Sequence, residues 1–141
     1  MKTFVDQSAW IALVNPQTPV EIRVAKEFER ALSEGDRLFT HNIAIGNAMS
    51  EIKKQNGAIV SNKFYEIVDA AYSGAHLSML WIGRRTQKEA VWLMKKHSSL
   101  DLDLYDYACF ILMRRRRLRT ILTTKPDYKQ LQLSVIPEPK E

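Results

Sequence analysis

A single cysteine, Cys109, excludes a disulfide framework within this chain of 141 residues and argues against a structural zinc site. Set within "YDYACFILM", it reads as a small core residue, and such cysteine usage fits a reducing, cytoplasmic setting. No apolar run approaches the ~18 residues that a membrane span needs. The opening "KTFVDQSAW" gives no expectation of a signal peptide, because Asp6 interrupts any apolar stretch there. The three histidines, His41, His76 and His97, lack a metal-ligand spacing. No serine, cysteine or histidine grouping supports nucleophilic catalysis. Repeats, low-complexity tracts and linkers are also missing, so residues 1–141 read as one domain, long enough to bury about two-thirds of its unfolded surface.

What the chain has in excess is positive charge. The formal net charge is +5, which favours an anionic partner without naming one. The densest positive stretch is "MRRRRLR", with Arg114, Arg115, Arg116, Arg117 and Arg119. Arginines at a helix C-terminus complement the macrodipole, and the same residues suit the phosphates of an extended RNA ligand. Arg84, Arg85, Lys95 and Lys96 add to the excess. Trp10, Trp81 and Trp92 read as core or interface residues rather than as base-stacking platforms.

Short apolar strands alternate with helical patterns. "KTFV", "RLFT", "AHLSMLWI", "RTILTT" and "LSVIP" read as strands. Between them lie the helical segments "SAWIALVN", "TPVEIRVAKEFERALSEG", "NIAIGNAMSEIKKQNG", "NKFYEIVDAAYSG", "TQKEAVWLMKKH" and "DLDLYDYACFILMRRRR". Thr18, Pro19 and Glu21 predict a capping box with proline at the first helical position. Ile22, Ala25, Phe28 and Leu32 form an apolar stripe behind it, and Gly35 ends the helix. Thr86 and Glu89 predict a second capping box, and Asp103 a further N-cap. Ile45, Met49 and Ile52 mark the inner face of the third helix. This order predicts an α/β fold, a mainly parallel central sheet flanked by helices.

In such sheets, sites form outside the carboxyl ends of the strands. Asp6 ends the first strand, Thr40 the second, and Thr123, Thr124 and Lys125 the strand after the arginines. Asp106 opens the helix that feeds that strand. "FVDQSAWIALVNP", "LYDYACFILMRRRRLRTILTTKPDY" and "LSVIP" together resemble the PIN-domain family, in particular its VapC-like toxins. The family's patterns are a "VDTSAW-ALLN" opening, an "S-TDC-SFALM" helix start, an "ALTFDRHF" strand end and a "VLP" close.

The resemblance implies a PIN-like domain acting on RNA as an endoribonuclease, with four acidic positions holding Mg²⁺ or Mn²⁺. Hard divalent cations need such oxygen anchors, and the bound metal activates water and stabilises charge on the phosphate. Here the first acid is Asp6 and the third is Asp106, with Ser8 and Thr123 lining the same crevice. The second falls on Asn47 and the fourth on Lys125, so the formal charge of the quartet drops from −4 to −1. The resemblance therefore implies a degenerate site that binds Mg²⁺ or Mn²⁺ weakly, with nuclease activity impaired or absent. Lys125 joins the arginine tract as an RNA contact.

Two alternatives stand beside this reading. In one, Glu51, Asp103 or Asp127 completes a working Mg²⁺-dependent endoribonuclease. In the other, the domain is a non-catalytic scaffold for proteins. The resemblance also implies a homodimer and an antitoxin-like protein partner.

Overall fold

The computed structural model describes residues 1–139. Five parallel strands form one sheet in the order β3-β2-β1-β4-β5. They are β1 (Lys2–Val5), β2 (Arg37–His41), β3 (Leu77–Leu80), β4 (Thr120–Leu122) and β5 (Ser134–Ile136). The helices are α1 (Gln7–Val14), α2 (Pro19–Ser33), α3 (Asn42–Asn56), α4 (Ala58–Ser73), α5 (Arg84–Lys96) and α6 (Leu104–Arg115). A 3₁₀ helix, Pro126–Leu131, joins β4 to β5.

The strands are apolar on both sides because helices cover both faces of the sheet. Side chains alternate along a strand, so Phe4 packs with Phe39 and Ile121 against α5 and α6. Val5, Leu38 and Leu122 point the other way, into a core shared with α1, α2, α3 and α4. The register places Phe4 beside Phe39 on one flank and Ile121 on the other. The chain builds outward from β1 to β3, then crosses back to place β4 on the opposite side of β1. Strand order thus reverses at β1, and the carboxyl ends of β1 and β4 frame the switch point where ligands bind in such sheets.

The Thr18 capping box forms as expected, and Gly35 turns the chain after α2 with φ of 71°. Two helix details differ from the sequence expectations. The buried seam of α2 is Val24, Phe28 and Ala31, whereas Ile22 and Leu32 are exposed. Both seams have helical spacing and share Phe28, which packs on Trp10 of α1, and the core takes Val24 and Ala31 beside it. The Thr86–Glu89 box does not form, because α5 already begins at Arg84 behind Gly83. Thr86 is buried instead, accepting a 2.7 Å bond from Arg115, whose other arm reaches Glu89 at 3.0 Å. One arginine thereby ties α6 to α5.

Ile52 lies fully buried in the core between the sheet and α1, α3 and α4. Ile52→Ala is expected to lower unfolding free energy by about 2–5 kcal/mol, with an unchanged urea m-value. A loss under about 1 kcal/mol in urea melts would mean that this core is loosely packed.

Candidate functional site

β1 ends at Val5, and the next residue continues in extended backbone, with φ −85° and ψ 174° at Asp6. Alternation then turns Asp6 toward the face covered by α6. Its position also makes it the N-cap of α1. Oδ1 accepts from the Ala9 amide at 2.9 Å and from the Ser8 hydroxyl at 2.7 Å. Oδ2 accepts from the Thr123 hydroxyl at 2.6 Å, which joins the end of β1 to the end of β4. The loop behind β4 is laced to the same groups. The Thr124 amide donates to Ser8 Oγ and the Lys125 amide to Thr123 Oγ, each at 3.0 Å.

Asp106 enters from α6, where it shares a reciprocal capping box with Asp103. Its Oδ2 accepts from the Asp103 amide at 2.9 Å and from the Lys125 ammonium at 2.5 Å. Oδ1 accepts from the Tyr128 hydroxyl at 2.8 Å. Asp6 and Asp106 are each only 2% exposed, so neither carboxylate relies on bulk water for its partners.

The electrostatics follow from burial. Desolvation pushes the Asp6 carboxyl from 3.8 up to about 6; the Thr123 and Ser8 hydroxyls pull it down, and the charge of Asp106 adds to the rise. Burial also raises Asp106, opposed by the Lys125 ammonium. Burial works against the Lys125 charge, but Asp106, Asp103 and Asp6 outweigh it, and its pKa is raised. Lys125 and Asp106 lie 2.5 Å apart in an ion-pair geometry. His41 is buried and pushed down to about 4, so it stays neutral and its Nδ1 accepts from the Ala44 amide to cap α3.

Asp6, Ser8, Asp106, Thr123 and Lys125 thus meet at one point. Asn47 reaches its edge, donating at 3.0 Å to Gln7 next to Asp6. Asp103 stands at the rim, 3.9 Å from the Lys125 ammonium and half exposed. Glu51 and Asp127 make their described bonds elsewhere. Glu51 accepts from Gln55 on its own helix, and Asp127 accepts from the Asp101 amide in the loop before α6. The arginine tract lies toward the amino ends of the strands: Arg119 immediately precedes β4, and Arg114 is ~12 Å along α6 from Asp106. Among the described residues, no group of three His, Cys, Asp or Glu is placed to hold a metal ion.

Two participants had no signal in the sequence. Tyr128 supports Asp106 only because the 3₁₀ turn folds it back under α6, and Gln7 meets Asn47 only across the α1–α3 contact.

A pH prediction follows from Asp6. A carboxyl whose pKa rises on folding holds its proton more tightly in the native state, so stability falls as pH climbs from about 4 to about 6. Relative to the parent, Asp6→Asn should gain about 2 kcal/mol between pH 4 and pH 7. Denaturant melts showing the same difference at both pH values would mean that Asp6 does not titrate in that window.

No protein-family profile and no curated protein matches the chain. Among solved structures, it is similar to Mycobacterium tuberculosis VapC20, a toxin that cleaves the sarcin–ricin loop. The TM-score is 0.76 at 17% identity, over 93% of this chain and 95% of that one. The chain shares its α/β fold with that protein.

Proposed function

We propose that this chain is a cytoplasmic PIN-like domain spanning residues 1–141 that binds RNA, with metal-dependent cleavage impaired or absent. The observation that carries this reading is the Lys125 ammonium 2.5 Å from Asp106. Magnesium demands several hard oxygen donors in near-octahedral array. Here the two carboxylates already have their oxygens engaged by hydroxyls, amides and an ammonium. Asn47 and Lys125 stand where the family resemblance calls for acids. A fixed ammonium ~6 Å from a divalent ion opposes it by about 5 kcal/mol at an effective dielectric of 20. This donor set does not fit Mg²⁺ or Mn²⁺, and Lys125 supplies the positive charge in its stead. RNA phosphate is then met by cationic side chains: Lys125, Arg114, Arg116, Arg117 and Arg119.

The fold neighbour's identity as an RNA-cleaving toxin supports RNA as the ligand class. A second observation favours a protein partner. A groove of about 510 Å³ opens between α1, α2 and α4, walled by Trp10, Leu13, Phe28, Ile59 and Ile67. Ile59 is 86% exposed and Ile67 63%, which suits the apolar face of an amphipathic segment from an antitoxin-like protein. A second copy of the chain is the remaining proposed partner.

Mixed RNAs should bind without being cut in either Mg²⁺ or Mn²⁺, and affinity should fall steeply with salt. Cleavage abolished by Asp6→Asn would overturn this reading and favour a working nuclease completed by Glu51, Asp103 or Asp127. Absence of binding would leave the scaffold. The double variant Asn47→Glu, Lys125→Asp is expected to create Mn²⁺ affinity measurable by titration calorimetry, where the parent gives no heat. No gain would mean that Asn47 and Lys125 are not the lost acidic positions.

A further inference from the structure

A cleft of about 680 Å³ lies between α5, α6 and the end of the 3₁₀ helix, away from the carboxylate pair. That volume is within the range of ligand pockets, about 300–1,000 Å³. Its two helical walls repeat one device. On α5 the Lys96 ammonium sits 5.1 Å from the centre of the Trp92 ring, and on α6 the Arg114 guanidinium sits 5.3 Å from that of Phe110. In both, the cation follows the ring by four residues, so the pairs line the helices at one turn's spacing. The Gln130 and Gln132 amides close the third side.

Trp92 is 61% exposed, an expensive surface for an indole to present to water without a partner. Glu89, the acid on this wall, is engaged by Arg85 and Arg115. The cleft therefore offers aromatic faces, amide hydrogen-bonding groups and two cations that have no ion-pair partner among the described residues. That combination suits unpaired nucleotides, whose bases stack on rings while phosphates meet cations. A purely apolar peptide would leave both cations without counter-charge.

The cleft is also connected to the crevice. Phe110 and Arg114 follow Asp106 on α6, ~6 and ~12 Å along its axis. The 3₁₀ helix starts directly after Lys125 and ends at the cleft.

We propose that this cleft is a second RNA subsite, taking a short unpaired stretch with a base against Trp92 and phosphates against Lys96 and Arg114. It rests on the reading of the chain as RNA-binding and adds a second place on the surface, between α5 and α6, where nucleotides are held.

The test uses a single-stranded hexanucleotide RNA and the full chain carrying Trp81→Phe. Trp10 is buried, so the exposed indole signal then comes from Trp92. The hexanucleotide should quench that emission, and a blunt RNA duplex should not. Trp92→Ala should weaken binding about tenfold, with Trp92→Phe restoring most of it. Lys96→Gln and Arg114→Gln should each lower the log–log salt slope by about 0.7. If RNA binds but neither quenching nor the Trp92→Ala loss occurs, the subsite is wrong and the RNA reading stands. If no RNA binds the parent, both fail. Light scattering that shows a parent dimer broken by Trp92→Ala would instead make this face a self-association surface and overturn the subsite.

Discussion

Two carboxylates buried at the carboxyl end of a parallel sheet set the terms for everything around them. Removing an ionised acid from water costs several kcal/mol unless its oxygens find donors and opposite charge. Asp6 is satisfied by local donors, the Ser8 hydroxyl and the Ala9 amide, and by Thr123 from the neighbouring strand end. Asp106 is satisfied by Asp103, Tyr128 and Lys125. These bonds join β1, α1, β4, α6 and the 3₁₀ turn at one junction. Charge neutralisation and chain packing are thus the same event here. Lys125, tethered to the backbone, supplies the opposite charge beside Asp106.

Charge is arranged unevenly about that junction. The arginine run begins in the last turn of α6, where its cations complement the helix dipole, and continues to the start of β4. Its members have separate tasks. Arg115 ties α6 to α5 through Thr86 and Glu89, Arg114 lies over Phe110, and Arg116, Arg117 and Arg119 face solvent. The run is thus not one patch over the crevice. It sits one helix length away, with α6 connecting the acidic end of the molecule to its basic end.

Much of this was legible in the residues. Strand cores fell where apolar runs met turn signals, because a strand buried on both faces needs such a run. Thr18, Pro19 and Glu21 marked the start of α2 because a capping box is local chemistry. Placing Asp6, Asp106 and Lys125 near strand or helix ends required only element order and the rule that crevices open at carboxyl ends. The seam of α2 was misread, since Ile22–Leu32 and Val24–Ala31 both obey helical spacing. Thr86 looked like a cap because its partner, Arg115, lies 29 residues away.

By itself, then, the sequence determined the alternating elements, the parallel sheet and the position of Asp6, Asp106 and Lys125 at element ends. Those depend on spacing along the chain and on residue type. Only tertiary structure decided which oxygens of Asp6 and Asp106 are engaged, that Tyr128 and Gln7 join them, and that Trp92 stays in solvent beside Lys96. These are contacts between segments far apart in sequence. Their geometry is set by how helices rotate and pack against the sheet, and no local pattern encodes that rotation.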